Sequence, residues 1–259
     1  MSYQVLSLKW RPQAFDDVIG QDHVTKTLIN AFMKNRIAQG YILTGPRGVG
    51  KTTTARIISK ALNCPKTKDG VPCNSCNICQ EITDGRNLDV LEIDGASNRG
   101  IDEIRDLKDS TKYTPLEGKY KIFIIDEAHM LTREAWNALL KILEEPPPRV
   151  IFVFATTEPH KIEQYAAPIL SRCQRFDFRR IPLETIVNRL MHLCNNEGIT
   201  ATEEVLALLA RTASGSLRDA ENLLERAIVS YGTELSESQL RDLLDLDKDD
   251  KALDLVENI

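Results

Sequence analysis

The sequence predicts an α/β protein in which a five-stranded parallel sheet is followed by a small all-helical domain. Apolar strand-like runs alternate with helical patterns up to about residue 180, where the strand signal disappears. A glycine-rich loop also joins the first strand to a helix. Strands that alternate with helices form parallel sheets covered on both faces. A chain of 259 residues that is 42% hydrophobic can bury such a core in one or two domains.

The first element is a helix that opens at Gln21 or Asp22 and carries an apolar stripe through Val24 and Leu28. The first strand begins at Gly40. Further strands are predicted at 88–93, 120–125, 150–155 and 174–178. Helical patterns at 101–112 and 132–145 lie between them, and a run of prolines from residue 146 ends the second pattern.

A nucleotide-binding motif follows the first strand. The pattern G-x-x-x-x-G-K-[ST] is filled by Gly45, Pro46, Arg47, Gly48, Val49, Gly50, Lys51 and Thr52, and a helix-like segment begins at Thr53. The glycines let backbone N–H groups converge on phosphate oxygens, and the helix N-terminus adds partial positive charge. Lys51 can neutralise the β- and γ-phosphates, and the Thr52 hydroxyl can bind Mg²⁺. Residues 45–53 are therefore predicted to bind ATP, and the strand–loop–helix setting argues against a chance glycine-rich turn.

Two acids follow the strand predicted at 120–125. Acids at the C-terminal end of a buried parallel strand fall where ligands bind in open α/β sheets. Asp126 can hold Mg²⁺ through water, and Glu127 can orient and polarise an attacking water. An ordinary acidic loop is the alternative, but a phosphate loop in the same chain favours an ATPase.

Four cysteines between the phosphate-loop helix and the second strand have the spacing of a metal site: Cys64, Cys73, Cys76 and Cys79. Four thiolates with two-residue spacers suit tetrahedral Zn²⁺ at a structural site. An iron–sulfur cluster is the rival, although its fourth ligand usually lies downstream, whereas here it lies upstream. Cys173 and Cys194 are expected to be small buried residues.

The charge and the termini limit the possible partners. The net charge is −5 and the isoelectric point about 5.5, so nucleic-acid binding needs a local basic patch or a ring of several subunits. No apolar run is long enough to span a membrane. The N-terminus lacks an apolar signal region, so a cytosolic location is expected.

Helices at 183–196, 203–212, 216–231 and 236–244 are predicted for the second domain, with Gly198, Gly215 and Gly232 between them. The expected domains are an α/β domain over 1–180, with a zinc module at 64–79, and a helical lid over 181–245. Residues 246–259 are expected to start a truncated third domain, because their apolar face needs a partner surface.

With these motifs the chain resembles the gamma/tau subunits of the bacterial DNA polymerase III clamp loader, AAA+ ATPases related to replication factor C. The resemblance runs from Tyr3 to the last residue. It also covers the motifs at 9–12, 15–21, 137–141, 171–173 and 215–219. One departure is the connection at 162–168, which is a few residues longer than is usual in the family.

The resemblance implies roles that spacing alone does not give. Thr157 matches the first sensor, a polar side chain between the γ-phosphate and the water. Arg218 matches the second sensor, an arginine of the helical lid that reaches the γ-phosphate of its own subunit. Arg172 matches the arginine finger, which acts on ATP bound by the neighbouring subunit. The segment that packs on the adenine is matched by Arg11, Pro12, Val18 and Ile19.

The implied function is that of an ATP-hydrolysing motor that opens the sliding clamp and loads it onto primer–template DNA. Its implied partners are delta, delta-prime, further gamma/tau copies, the beta clamp and DNA bound without sequence preference, in a cytoplasmic, nucleoid-associated replisome. The chain would belong to the DNA-directed DNA polymerase III holoenzyme without carrying a polymerase active site. By loose analogy with replication factor C, the candidate DNA contacts are Asn98, Arg99, Arg105 and Lys141.

Two other classes of protein are alternatives. A non-catalytic assembly subunit of the delta-prime type shares the zinc insertion and the Ser-Arg-Cys motif, but the intact Lys51, Thr52, Asp126 and Glu127 argue against it. Another AAA+ DNA remodeller, such as a Holliday-junction helicase, is disfavoured by the four-cysteine insertion.

Overall fold

The computed structural model describes residues 4–245, apart from the side chains of residues 101 and 102. The helices in chain order are α1 Leu6–Lys9, α2 Asp22–Met33, α3 Lys51–Asn63, α4 Asn77–Asp84, α5 Ile101–Ser110, α6 Arg133–Glu144, α7 Pro159–Leu170, α8 Leu183–Glu197, α9 Glu203–Thr212, α10 Leu217–Tyr231 and α11 Glu237–Leu243. The strands are β1 Gly40–Thr44, β2 Val90–Asp94, β3 Lys121–Asp126, β4 Val150–Thr156, β5 Gln174–Asp177, β6 Thr200–Ala201 and β7 Glu234–Leu235. The expected start of a third domain, 246–259, lies outside the described residues.

The chain divides into two compact units. One unit is Pro12–Arg179, and the other combines Met1–Arg11 with Arg180–Ile259. The α/β unit contains the predicted five-stranded parallel sheet, in the order β2-β3-β4-β1-β5. Because all five strands run the same way, the segments that follow β1, β3 and β4 leave the sheet at one edge.

Both faces of the sheet are buried, since β1 and β4 and most of β3 are buried along their length. Successive side chains of a strand point to opposite faces. Tyr41 and Leu43 accordingly pack with residues of α2 and α3, whereas Ile42 packs with residues of α5, α6 and α7. Trp136 of α6 lies 5.3 Å from the Phe154 ring, measured between centroids. The apolar runs of the sequence therefore become the centre of a three-layer core.

Two helices of this unit are absent from the sequence-based prediction, α4 and α7. Helix α4 is short and lies inside the cysteine-rich segment. Helix α7 occupies the long connection at 162–168 and contains Pro168, and its backbone leaves helical geometry at Ala166 (φ −142°, ψ 34°). Proline and the residues before it break helical patterns, so the sequence signal for α7 is weak.

The second unit packs α1 with α8–α11. The Leu6 N–H donates to Glu225 Oε2 (2.7 Å), and Trp10 Nε1 donates to Glu197 Oε1 (2.7 Å). These contacts explain why α1 and Trp10 group with the helices, although the sequence-based prediction places them in the α/β domain. No helix among the described residues is both long and apolar enough to cross a membrane.

This unit is helical, as expected, and it also contains one short pair of strands. Thr200–Ala201 and Glu234–Leu235 form a two-stranded parallel sheet, and the Thr200 N–H donates to Thr233 O (2.8 Å). Two residues are too few to show the alternation by which strands are recognised. The pair ties the segments that precede α9 and α11 to each other.

Candidate ATP site and four-cysteine cluster

The phosphate loop has the backbone of an anion-binding turn. Gly45, Gly48 and Gly50 have φ values of 139°, 72° and 101°, which favour glycine. A Cβ at Gly45 would collide with the Phe178 carbonyl oxygen, so a larger residue does not fit there. Helix α3 begins at Lys51, directly after the last glycine, and its first N–H groups have no partner within the helix. The loop and the helix together form a site for phosphate.

The Lys51 ammonium lies within this loop. It is buried, and Nζ donates to the carbonyl oxygens of Gly45 (2.8 Å) and Pro46 (2.6 Å). Burial lowers the pKa of Lys51, and the charges of Glu127 and Asp126 act against that shift. A buried cation beside two carboxylates and the helix N-terminus is suited to pairing with phosphate oxygens.

Oxygen ligands from two elements meet next to the loop. Thr52 Oγ1 donates to Asp126 Oδ2 (2.6 Å), and Asp126 Oδ1 accepts the Glu127 N–H (2.9 Å). A hydroxyl and a carboxylate at this distance offer the hard oxygen donors that Mg²⁺ prefers. The structure thus brings together the two residues that the sequence assigns to Mg²⁺.

The carboxylate of Glu127 lies beside Thr157, as the site requires. Thr157 directly follows β4, and its Oγ1 is 3.4 Å from Glu127 Oε2. Glu127 itself has a left-handed backbone (φ 45°, ψ 42°). This conformation costs a non-glycine residue on the order of 1–3 kcal/mol and is found mainly at functional sites.

Three polar residues without an assigned role complete this part of the site. His129 Nδ1 lies 3.4 Å from Glu127 Oε2 and 3.2 Å from Thr156 Oγ1. Its Nε2 lies 3.2 Å from Glu158 Oε1. The position of His129, two residues after Glu127, could have drawn attention to it in the sequence. Nothing in the sequence shows that β4 brings Thr156 and Glu158 next to it.

The residues matched to the adenine segment fall in both units. Val18 is buried, and its Cγ1 would lie 3.5 Å from a Cβ added at Gly50, so it packs beside the phosphate loop. Pro12 and Ile19 are half-buried in the same unit, whereas Arg11 belongs to the helical unit. Of the other residues predicted to bind ATP, Val49 is buried, Thr53 is half-buried and Arg47 is exposed.

Arg172 lies at the opposite edge of the sheet from the phosphate loop. It follows α7, donates from Nη1 to Pro168 O (2.7 Å), and pairs with Glu144 at 3.3 Å. Gln174 is level with Tyr41 in the β1–β5 pairing, so Arg172 precedes β5 at about the level of Gln39. At about 3.3 Å per residue, the phosphate loop after β1 is roughly 20 Å away. Arg172 is therefore not part of the site in its own chain.

Arg218 belongs to the helical unit, and the candidate DNA contacts belong to the α/β unit. Arg218 is exposed in the first turn of α10, where Ser216 Oγ accepts the Asp219 N–H at 3.3 Å. Asn98 Nδ2 donates to Asp94 O (3.0 Å) and Arg99 Nε to Ala96 O (2.7 Å), in the loop after β2. Exposed side chains also extend from α5 and α6, two helices of the same face: Arg105 and Lys141.

The four predicted metal ligands form one cluster. The Sγ atoms of Cys64, Cys73, Cys76 and Cys79 all lie within 4.8 Å of one another. The Cys64 and Cys76 sulfurs are 3.9 Å apart. Zn–S bonds of about 2.3 Å in a tetrahedron place the sulfurs about 3.8 Å apart, so the cluster fits zinc. Hydrogen bonds from Ser75 lower the pKa of Cys73 to about 6, which favours its thiolate.

The cluster is attached to the α/β unit through two helices. Cys64 directly follows α3, and Cys79 lies in α4. Of the cysteines outside the cluster, Cys194 is buried as expected, whereas Cys173 is only half-buried.

Comparisons with known proteins agree with this arrangement. Residues 20–182 match the family model for "DNA polymerase III, delta subunit", and residues 185–233 match that for "DNA polymerase III clamp loader subunit, ATPase lid domain". A structure of Thermotoga maritima RuvB, a Holliday junction branch migration motor, has a TM-score of 0.65 at 18% identity, covering 92% of this chain and 72% of that one. This likeness shows that the AAA+ fold is shared.

Curated relatives are more similar in sequence. The chain is 51% identical to DNA polymerase III subunit tau of Bacillus subtilis over 90% of its length, and 47% identical to that of Escherichia coli over 99%. It spans 41% and 40% of these two relatives, or about two fifths of their length. The chain belongs to the gamma/tau family of DNA polymerase III subunits.

Proposed function

We propose that this chain is the ATP-hydrolysing motor part of a DNA polymerase III clamp-loader subunit. The observation that carries the proposal is the meeting of Lys51, Thr52, Asp126, Glu127 and Thr157 at one edge of the sheet. A phosphate loop, two oxygen ligands for a cation and a carboxylate that can orient water are the parts that phosphoryl transfer needs.

In this proposal each side chain has one task. Lys51 exchanges its two carbonyl acceptors for the β- and γ-phosphate oxygens of ATP. Thr52 and Asp126 hold Mg²⁺, which when bound neutralises charge on the phosphates. Glu127 accepts a hydrogen bond from a water and orients it in line with the γ-phosphorus, and Thr157 lies between that water and the phosphate. Electrostatic stabilisation by fixed groups of this kind is usually the largest part of the rate gain.

Two arginines complete the site in the proposal. Arg218 reaches the γ-phosphate of its own chain from the helical lid. Arg172 serves the ATP of a neighbouring subunit, which is supported by its position at the far edge of the sheet. Each active site is then shared by two chains, and hydrolysis depends on assembly.

Membership of the gamma/tau family supports the proposed assembly. The partners are further gamma/tau copies, delta, delta-prime, the beta sliding clamp and primer–template DNA, in the cytoplasmic replisome. DNA contacts to phosphates are sequence-independent, and Asn98, Arg99, Arg105 and Lys141 are their candidate donors. The adenine lies against Arg11, Pro12, Val18 and Ile19.

The four-cysteine cluster holds a structural Zn²⁺ in this proposal. Cys64 and Lys51 lie at opposite ends of α3, whose 13 residues span about 20 Å. A closed set of four sulfurs at that distance does not take part in the chemistry at the phosphates.

A delta-prime-like assembly role is the second candidate, because residues 20–182 match a family model described by the delta subunit. The two roles are separated by measuring nucleotide binding and ATP hydrolysis in the full-length subunit, assembled with its partners, with and without clamp and primer–template DNA. The motor role requires hydrolysis that DNA stimulates. Failure to bind nucleotide would support the assembly role.

A further inference from the structure

The buried imidazole of His129 has no task in the mechanism above, yet it contacts the carboxylate that the mechanism depends on. Its side chain is 6% exposed, whereas the side chains of Glu127 and Glu158 are 39% and 41% exposed. The ring lies between the two carboxylates, with Nδ1 3.4 Å from Glu127 and Nε2 3.2 Å from Glu158. A buried polar ring is fixed by its hydrogen-bond partners, and it restricts the orientation of those partners in turn.

Glu158 is itself fixed. Its Oε2 is 3.0 Å from Lys161 Nζ, and its backbone N–H donates to Thr156 Oγ1 (3.0 Å). The hydrogen bond from Lys161 lowers the pKa of Glu158, and the neighbouring His129 adds to that effect. Glu158 therefore stays ionised and gives His129 Nε2 a fixed acceptor.

Two side chains contact the same oxygen of the Glu127 carboxylate. Thr157 Oγ1 and His129 Nδ1 both approach Oε2 of the carboxylate. Both contacts therefore act on the same oxygen of the carboxylate, Oε2. Nδ1 also lies 3.2 Å from Thr156 Oγ1, so Glu127 and Thr156 share this nitrogen while Nε2 faces Glu158. In the imidazolium form both ring nitrogens are donors, and the ring can then bond both carboxylates at the same time.

From this geometry we infer that His129 is a positioning residue for ATP hydrolysis: anchored by Glu158 through Nε2, it holds the Glu127 carboxylate through Nδ1 in the orientation that aligns the water. The inference rests on the proposed ATPase function. As in other sites where a carboxylate fixes the ring of a histidine, Glu158 fixes the ring of His129.

Two substitutions separate positioning from space filling. In His129→Asn the amide nitrogen takes the place of Nδ1, so the donor to Glu127 remains. In His129→Gln the amide nitrogen takes the place of Nε2, so only the contact to Glu158 remains. Asparagine is the smaller side chain and leaves the larger void, so a purely structural ring would make His129→Asn the more damaging of the two substitutions.

The test uses the full-length subunit assembled with its partners, clamp and primer–template DNA, and measures single-turnover hydrolysis beside the affinity for a fluorescent ATP analogue. We expect His129→Gln to slow hydrolysis by about tenfold to a hundredfold, because small misplacements of a catalytic group cost that much. His129→Asn should retain more of the rate, and both should bind nucleotide as the parent does. The exposed His160, changed to the same two residues, is the matched control and should keep the parent rate.

Several results would overturn the inference: equal rates for parent and both variants, a faster Gln than Asn variant, or loss of nucleotide affinity in either. A failure of the proposed function looks different. In that case the parent assembly itself does not hydrolyse ATP, or Lys51→Ala leaves its hydrolysis unchanged.

Discussion

Lys51 and Glu127 lie in one site, but their surroundings separate their tasks. Lys51 is buried inside the loop, so Lys51→Ala removes the cation that pairs with phosphate and should abolish ATP binding. Glu127 lies outside the loop, so Glu127→Gln should keep binding and slow hydrolysis by at least about a hundredfold. Titration with a fluorescent nucleotide, together with phosphate release by the assembled loader, measures both.

A lysine away from the site provides the control for this pair. Lys26 is exposed and 3.7 Å from Asp22, so Lys26→Ala should change neither binding nor hydrolysis. Hydrolysis at the parent rate by Glu127→Gln in the assembled loader would show that another group orients the water.

The four-cysteine cluster should bind one zinc ion per chain. The sulfurs lie close enough together for a tetrahedral site, and the segment that holds them is short and polar, so a bound metal would stabilise its fold. Elemental analysis of freshly purified, reduced protein measures the metal. Iron with visible absorption, or no metal at all, would contradict the assignment.

Helix α10 carries a buried carboxyl group that should make the helical unit sensitive to pH. Burial raises the pKa of Glu221 from 4.5 to about 7, while Arg189, at 3.8 Å, and Arg11 act against the shift. Between pH 4.5 and about 7, Glu221 is protonated in the folded state but ionised in the unfolded state. The folded state then binds more protons, so the free energy of unfolding falls as pH rises toward and through about 7. The contribution is on the order of 3 kcal/mol.

Urea unfolding of the parent and of Glu221→Gln at several pH values from about 5 to about 8 tests this effect. The difference between the two proteins should change across that range in the direction given above. Glu184→Gln, an exposed change on α8, should follow the parent at every pH. Parallel curves for parent and Glu221→Gln would show that Glu221 does not titrate in this window.

The predictable elements are those whose signals are local. Uninterrupted apolar runs locate β3 and β4 to within a residue or two, because a strand covered on both faces needs apolar residues throughout. The phosphate loop and the four cysteines are recognised from the sequence just as easily. The residues of each motif bind a single ligand, so their spacing along the chain is fixed. Helix α7, with Pro168 and a break at Ala166, and the pair β6–β7 are decided by packing and pairing partners distant in the sequence.

The same limit applies within the site. Lys51, Thr52, Asp126 and Glu127 belong to motifs, so the sequence identifies them without the fold. Thr156 and Glu158 meet His129 only because β3 and β4 are neighbours in the sheet. Residues of that kind have no motif of their own, and their neighbours can be found only from the three-dimensional arrangement.

Arg172 should act between subunits of the assembled loader. Mixing Arg172→Ala subunits with Glu127→Gln subunits creates some sites that have an intact Glu127 and a neighbour with an intact Arg172. These sites should regain hydrolysis, whereas a ring of Arg172→Ala subunits alone should be slower than the parent by about a thousandfold or more. Phosphate release at several mixing ratios measures the recovery.

The exposed Arg36, changed to alanine, is the control for this experiment and should leave hydrolysis unchanged. A mixed ring as inactive as the all-Arg172→Ala ring would place the arginine in its own chain's site or outside catalysis. Full activity in a dilute, unassembled chain would also contradict a shared site.

In the proposed mechanism, the separation of Arg172 from the phosphate loop gives each subunit two unlike ends: one receives an arginine from a neighbour, and the other supplies an arginine to the next subunit. Such contacts are heterologous, and repeating them builds either a closed ring or an open arc with a direction. An open arc of identical subunits has one fewer completed site than it has members, because the receiving end of one terminal subunit has no donor. An unlike chain that carries only a finger would complete that last site without binding ATP itself.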